Sequence, residues 1–243
     1  MKKSEITGYQ RELKEKTPQE IISWVIDHFD KNDIAFSSSM GAEDQVLTDM
    51  LIKIDPEINI FTLDTGRLSE ETYTAIEKTI EHYNKHIEIL FPDSSDIEEM
   101  LGKHGPNLFY ESIDERKLCC QVRKVKPLKR KLSSLTVWIC GLRRDQAQTR
   151  SDIGAIEWDE NFEIIKINPI IEWSEKDVWD YIHKNNVPYN KLHDQNYPSI
   201  GCAPCTRAIG IGEAIRAGRW WWEDPDEKEC GLHSQKKLLI KNK

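Results

Sequence analysis

Residues 34–44 read IAFSSSMGAED, and this stretch decides the fold. A short apolar run ends in three serines and a glycine, and residues 43–54 then place their apolar side chains on one face of a predicted helix. A strand-to-helix turn that carries hydroxyl groups, a glycine and helix N-terminal N–H groups suits an anion. The lysine of the Walker A motif is missing, so this is not an ordinary ATP-binding loop. The alternative is a plain strand-to-helix turn capped by serines.

The alternation of strands and helices continues through the first two thirds of the chain. A threonine followed by a proline predicts a helix that starts at Pro18, and Ser174 with Asp177 forms a capping-box pattern for a later helix. In the helix predicted for residues 68–85, Tyr73 is expected to face the core. Such alternation predicts an α/β fold with a doubly wound, mainly parallel sheet. The predicted strands are 34–39, 58–63, 87–91 and 136–142, with a hairpin over 156–167.

Composition and charge exclude several classes of protein. The chain has 243 residues, 38% of them hydrophobic and 31% charged, enough for one large α/β domain. A net charge of −8 argues against a general nucleic-acid binder, which needs an excess of Lys and Arg. No apolar run is long enough to cross a membrane, and the N-terminus lacks the apolar segment of a signal peptide, so we expect a cytoplasmic protein without membrane association. The oligomeric state stays open, a homo-oligomer included.

Polar turns and cations follow other predicted strands. Residues 63–67, LDTGR, follow the second strand, and Arg143-Arg144 follow the fourth, unless they are simply surface arginines. Because ligands of a parallel sheet bind beyond the carboxyl ends of its strands, these turns are expected to join the serine-rich loop at one site. Arg216 and Arg219 are three residues apart and would share a helical face. The candidate phosphate- or sulfate-binding residues are Ser37, Ser38, Ser39, Gly41, Asp64, Thr65, Gly66, Arg67, Arg143, Arg144, Arg216 and Arg219.

Four of the six cysteines fall in two close pairs, Cys119-Cys120 and Cys202-x-x-Cys205. Four thiolates are the ligand number of a tetrahedral zinc site and of a 4Fe-4S cluster, so the count alone leaves the metal open. Adjacent cysteines are unusual in zinc sites, and a disulfide between neighbours would be strained. Lys124 lies about one helical turn beyond the first pair, so it would bring a positive charge close to these thiols.

The C-terminal segment carries a further cysteine, Cys230, within ECGLH (residues 229–233). This segment is charged and weakly periodic, which predicts a mobile tail over residues 224–243 after a nucleotide-binding domain over residues 1–223. A cysteine beside a glycine on such a tail is exposed, and its thiolate becomes a nucleophile where cations lower its pKa. The alternative is an inert surface thiol.

Together these motifs resemble the bacterial assimilatory adenosine 5′-phosphosulfate (adenylyl-sulfate) reductases, a branch of the sulfonucleotide reductase family. The resemblance spans roughly residues 30–235 and rests on the serine-rich loop, the arginine-bearing turns, the two cysteine pairs and ECGLH. It implies an adenine nucleotide α-hydrolase-like fold with a modified pyrophosphate loop. It also implies a 4Fe-4S cluster bound by Cys119, Cys120, Cys202 and Cys205.

The resemblance further implies a reaction. Cys230 would attack the sulfur of adenosine 5′-phosphosulfate, so that AMP leaves and an S-sulfocysteine remains on the enzyme. Thioredoxin, or a glutaredoxin-like reductant, would then release sulfite for cysteine biosynthesis. The cations that neutralise the sulfate would be Lys124, Arg216, Arg219 and His233.

Three other functions stay open at this point. The nearest is reduction of the 3′-phosphorylated nucleotide, or of both nucleotides, by the same chemistry. The second is an ATP-cleaving pyrophosphate-loop enzyme, which leaves ECGLH unexplained. The third is a non-enzymatic zinc module that binds a protein partner through its four cysteines.

Overall fold

The computed structural model describes residues 5–146 and 153–224 of the chain, and within them it contains eight α-helices and six β-strands. In chain order these elements are α1 (Ile6–Leu13), α2 (Pro18–His28), β1 (Ile34–Ser37), α3 (Ala42–Ile54), β2 (Asn59–Leu63), α4 (Glu70–Tyr83), β3 (Glu88–Leu90), α5 (Ser94–His104), α6 (Ile113–Cys120), α7 (Lys126–Leu132), β4 (Val137–Ile139), β5 (Ile156–Asp159), β6 (Ile164–Ile167) and α8 (Glu175–Asn185).

The described strands form one sheet in the order β3-β2-β1-β4-β6-β5. Neighbouring strands are parallel except β5 and β6, which form the hairpin expected over residues 156–167. Helices α2, α3 and α8 pack on one face of the sheet and α7 packs on the other. The expected doubly wound, mainly parallel α/β fold is therefore confirmed. The strand order reverses between β1 and β4, and a parallel sheet leaves a crevice at the carboxyl edge at such a point.

Strands β1 and β4 run through the centre of the core. Phe36 and Ile139 contribute to the apolar cluster that contains α2, α3 and α8, whereas Ala35 and Trp138 contribute to the cluster that contains α7. All four side chains are buried. Successive strand residues point to opposite faces, and a central parallel strand covered on both faces must be apolar throughout.

The helix starts predicted from capping residues are confirmed. Thr17 and Glu20 form a capping box ahead of α2, with Pro18 at the first helical position. Ser174 and Asp177 form a second capping box ahead of α8. Each box satisfies backbone N–H groups that have no partner inside the helix.

The expectation that Tyr73 faces the core is wrong. Tyr73 is 38% exposed, and its hydroxyl group donates to the Asp64 carboxylate at 3.0 Å instead of packing in the core. Partial burial, together with this carboxylate, raises the pKa of Tyr73 to about 12.

No helix within residues 5–146 and 153–224 is long and apolar enough to span a membrane. The tail predicted for residues 224–243 lies outside the described residues from position 225 onward.

Candidate active site

A cavity of about 210 Å³ opens at the carboxyl ends of β1, β2 and β4. The serine-rich loop after β1, the turn after β2 and the loop after β4 all contribute to its wall, as the sheet topology leads one to expect. The cavity therefore brings the polar loop and the cations together. The sequence-predicted residues that line it are Ser37, Ser38, Ser39, Gly41, Thr65, Lys124, Arg216 and Arg219.

One carboxylate holds the serine-rich loop in shape. The Asp44 carboxylate accepts hydrogen bonds from both the N–H and the hydroxyl group of Ser39, each at 2.6 Å. Gly141, after β4, packs directly on this carboxylate, and a Cβ at position 141 would overlap it. Met40 takes a left-handed φ of 61°, which turns the chain toward α3. Strand β1 therefore ends at Ser37, earlier than predicted.

Trp138 and His193 are among the residues of the cavity wall that were not predicted from the sequence. The indole N–H of Trp138 donates to the Ser37 hydroxyl at 2.8 Å and so orients the first serine of the loop. His193 accepts the backbone N–H of Ala42, at the start of α3, at 3.2 Å. Burial lowers the pKa of His193, which favours the neutral ring that an acceptor requires. No local pattern signals either contact, because the partners are 101 and 151 residues apart in the chain.

Some residues of the turn after β2 line the cavity, and others lie beside the neighbouring cysteines. Thr65 lines the cavity, and its hydroxyl oxygen lies 3.2 Å from Sγ of Cys202. Asp64 and Gly66 shape the turn but do not line the cavity: the N–H of Gly66 donates to the Asp64 carboxylate at 2.7 Å, and Gly66 has a φ of 68° that few other residues adopt. Arg67 lines the pocket that contains Cys202.

Arg143 and Arg144 do not line the cavity, although both were predicted to meet phosphate or sulfate. The Arg143 side chain is 2% exposed and donates twice to the Glu43 carboxylate, at 2.8 and 3.0 Å. Arg144 donates to Glu172 at 2.6 Å. A guanidinium group that is paired with a carboxylate has its charge neutralised. These arginines therefore tie the loop after β4 to neighbouring segments, and their binding of phosphate or sulfate stays a prediction.

The four paired cysteines line one small pocket beside the cavity, which we call the cysteine pocket. Cys119 and Cys120 end α6, and a π-helical turn over residues 121–125 continues the helix into α7. Cys202 and Cys205 flank a short 3₁₀ turn. All four are free thiols. The cations that line the same pocket are Arg67, Arg116, Arg123 and Lys124.

Two thiols of the cysteine pocket, those of Cys119 and Cys205, have raised pKa values. Burial raises the pKa of Cys119, and burial together with the nearby Cys202 raises the pKa of Cys205 to about 12. The positive charges of Lys124 and Arg219 oppose the shift at Cys205 without overcoming it. Both thiols are therefore protonated near neutral pH, and a metal that binds here must displace those protons.

Arg219 has a fixed place between the cavity and the cysteine pocket. It donates to a backbone carbonyl group at 3.0 Å, and its guanidinium carbon lies 4.7 Å from the centroid of the Trp220 ring. A Cβ on Gly201 would overlap this guanidinium group. Arg216 and Arg219 do not share a helical face as predicted, because residues 211–219 form no helix: Arg216 lies in a turn and Arg219 pairs with Thr206 in an isolated β-bridge. Both nevertheless line the cavity.

The four thiol groups that line the cysteine pocket are the donor set of a 4Fe-4S cluster. Among residues 5–146 and 153–224, no three His, Cys, Asp or Glu side chains converge closely enough to hold one ion. A 4Fe-4S cluster is wider, because each of its thiolate ligands binds a different iron. The buried indole N–H of Trp220 belongs to the same apolar cluster as the cysteines and has no hydrogen-bond partner among the described residues. An acceptor within hydrogen-bonding distance of this N–H, such as a sulfur atom, would satisfy it.

Two predicted site residues belong to the C-terminal segment. Cys230, the predicted nucleophile, and His233, a predicted sulfate-binding cation, lie outside the described residues.

Comparison with known proteins identifies the family. The phosphoadenosine phosphosulfate reductase domain model matches residues 33–208 of this chain. The chain belongs to this family. A curated relative named adenosine 5′-phosphosulfate reductase, from Allochromatium vinosum, is 50% identical over 214 residues, which cover 88% of this chain and 83% of the relative.

Solved structures support the same assignment at the level of the fold. The phosphoadenylyl-sulfate reductase of Candida auris, in a phosphate complex, superimposes with a TM-score of 0.73 at 29% identity and covers 86% of this chain and 98% of that one. Yeast FAD synthetase, in complex with FAD, reaches a TM-score of 0.57 at 13% identity, covering 86% of this chain and 70% of that one. The second likeness shows the fold alone. The chain thus shares its fold with both of these proteins, and the expected adenine nucleotide α-hydrolase-like fold is confirmed.

Proposed function

We propose that this chain reduces adenosine 5′-phosphosulfate to sulfite and AMP, with electrons from thioredoxin or a glutaredoxin-like dithiol protein. The observation that carries the proposal is the cation-bearing wall shared by the cavity and the cysteine pocket. Lys124 lines both of them, and Arg219 lies at their boundary beside Arg216. The relative named adenosine 5′-phosphosulfate reductase supports the choice of substrate.

The cavity wall carries two kinds of polar group, hydroxyl groups and cations, which together suit a sulfonucleotide. The serine-rich loop offers hydroxyl groups at the start of α3, and such a loop binds phosphate oxygens without adding charge. Other parts of the cavity wall carry Lys124, Arg216 and Arg219. A sulfate group is a poor electrophile because its oxygens carry the negative charge, and these cations neutralise that charge as a thiolate approaches.

Cys230 is the proposed nucleophile. Its thiolate attacks the sulfate sulfur, the bond from sulfur to the bridging oxygen breaks, and AMP leaves with both electrons of that bond. A thiolate of the reductant then attacks the Cys230 sulfur, sulfite leaves, and a mixed disulfide links the two proteins. The second thiol of the reductant resolves this disulfide, so the dithiol supplies the two electrons. Residue 230 is six residues beyond Asp224, and an extended chain of that length spans about 20 Å.

A 4Fe-4S cluster is the proposed cofactor, held by Cys119, Cys120, Cys202 and Cys205. The donor set, the surrounding cations and the unpartnered N–H of Trp220 support it. When bound, the cluster would supply a concentrated charge next to the sulfate-binding wall and would hold the two cysteine-bearing segments together. Free thiols in the described residues are also in keeping with the proposed cytoplasmic location.

Labelling of Cys230 tests the proposed function. The protein is incubated anaerobically with adenosine 5′-phospho[³⁵S]sulfate without reductant, and we expect one label per chain, located on Cys230 and released as sulfite by thioredoxin. Cys230→Ser should abolish the label, whereas the control Ser234→Ala, in the same segment, should keep it. A stable label that survives Cys230→Ser would overturn the assignment of the nucleophile.

The 3′-phosphorylated nucleotide is the second candidate substrate, because the family model and the Candida auris relative carry its name. Comparing kcat/KM for the two nucleotides decides between them. We expect the nucleotide without the 3′-phosphate to be preferred, and the reverse preference would replace the proposed substrate.

A further inference from the structure

A buried ion pair joins the cysteine-bearing helix to the segment that precedes Cys230. Arg116 donates to the two carboxylate oxygens of Glu223, from Nε at 2.9 Å and from Nη2 at 2.7 Å. Their side chains are only 1% and 3% exposed. Two parallel hydrogen bonds between a planar guanidinium group and a carboxylate fix the direction as well as the distance between the two groups.

Arg116 and Glu223 lie on two segments that are connected to predicted site residues. Arg116 lies on α6, one helical turn before Cys119, and lines the cysteine pocket. Glu223 is the second-to-last residue of the described range 153–224. Cys230 follows seven residues later in the chain. The pair therefore fixes the origin of the C-terminal segment on the helix that presents two of the four cysteines.

Trp220 extends the contact to the cavity. Its ring centroid lies 4.7 Å from the guanidinium carbon of Arg116 and 4.7 Å from that of Arg219, which lines the cavity. Its backbone N–H donates to the carbonyl oxygen of Cys205 at 3.1 Å, and its carbonyl oxygen accepts the N–H of Glu223 at 2.9 Å. One run of contacts thus joins the cation-bearing wall, the cysteine pocket and the origin of the C-terminal segment.

Stability alone does not account for such a pair. Removing two charges from water costs about as much as their attraction returns, and apolar side chains of similar volume often serve a fold equally well or better. Apolar packing would not fix direction as this pair does. We propose that Arg116 and Glu223 are positioning residues for sulfur transfer to Cys230, because they hold residues 220–224, from which the chain continues to Cys230, beside the cysteine pocket and the cation-bearing wall of the cavity. This inference rests on the proposed function and extends it to residues that do not touch the substrate.

Single-turnover labelling of four variants tests the inference. Glu223→Gln removes the charge and keeps the shape, Glu223→Asp keeps the charge but shortens the side chain, and the double variant Arg116→Met/Glu223→Met replaces the pair by apolar side chains. Glu99→Gln, in an exposed ion pair with Lys103 on α5, is the matched control for the loss of one carboxylate. The measurements are the rate of sulfur transfer to Cys230 without reductant, the Kd of AMP, the iron content and the melting temperature.

We expect Glu223→Gln to slow sulfur transfer at least about tenfold while the Kd of AMP stays within about twofold and iron is retained. Glu223→Asp should recover part of the rate. The double variant should melt at or above the melting temperature of the natural protein and still transfer sulfur slowly. Because it does not leave a buried charge unpaired, it tests the positioning role even if Glu223→Gln folds poorly. A double variant that labels Cys230 at the full rate would overturn the positioning role. If the natural protein and Glu99→Gln both leave Cys230 unlabelled, the proposed function itself fails, and the positioning role fails with it.

Discussion

Replacing Gly201 by alanine should displace Arg219 while leaving the fold intact. The three heavy atoms nearest to a Cβ at this position, at 2.4 to 3.0 Å, all belong to the end of the Arg219 side chain. Gly201 has no left-handed φ, so the backbone accepts an alanine. Because the end of an arginine side chain moves far more easily than a packed backbone, we expect the guanidinium group to leave its present position.

The expected size of the effect follows from what Arg219 loses. Its hydrogen bond to the carbonyl oxygen of Ile200 is charge-assisted, worth about 1.5–3 kcal/mol, and its stacking on Trp220 is worth about 0.5–2 kcal/mol. These contacts place one of the cations that line the cavity. Loss of one positioned donor to a developing anion typically slows a reaction about 100-fold or more. We therefore expect Gly201→Ala to lower kcat/KM for adenosine 5′-phosphosulfate about 100-fold, close to the effect of Arg219→Ala.

Steady-state kinetics with excess reductant, together with thermal unfolding, measures this effect. Gly102→Ala is the matched control: it lies within α5, a Cβ there meets nothing within 4 Å, and alanine should stabilise the helix by about 0.5–1 kcal/mol without a change in rate. If Gly201→Ala kept the natural kcat/KM and melting temperature, the argument that Gly201 makes room for a functional Arg219 would be refuted.

Two further predictions concern pH and the cofactor. Since burial lowers the pKa of His193, the unfolded chain takes up a proton below about pH 6.5 before the folded protein does, so stability should fall as pH drops through that range. His193→Gln, which keeps a neutral acceptor for Ala42, should show a smaller drop in melting temperature between pH 7.5 and 5.5; equal drops in both proteins would contradict this role. Trp220→Phe keeps an aromatic ring but removes the unpartnered N–H, so we expect faster loss of iron to a chelator, followed by visible absorbance, and an unchanged rate of loss would rule out a hydrogen bond to the cluster.

Much of the fold could be predicted because its signals are local. The capping boxes at Thr17 and Ser174 fall at the helix starts, and the hairpin over 156–167 falls where two apolar runs are separated by a polar turn. Such features involve residues within a few positions of one another. Tyr73 was misplaced because its partner, Asp64, lies on another element, and helical periodicity carries no information about that contact.

The candidate site was predictable only in part. The serine-rich loop reached the cavity because the carboxyl ends of parallel strands meet at one edge. Arg143 also follows a strand, but its guanidinium group donates to the Glu43 carboxylate, 100 residues away in the chain. An arginine next to a strand end looks the same in sequence whether its charge is available or already paired.

The sequence by itself determined the α/β class, the serine-rich loop and the two cysteine pairs with Cys230, because each of these depends on residues close together in the chain. Only the tertiary structure decided which cations face the cavity and which are paired with carboxylates. It alone brought Trp138 and His193 to the loop, and Arg116 to Glu223. The physical reason is that the free energy of a charged or polar side chain is set by its neighbours in space, and folding draws those neighbours from distant parts of the chain.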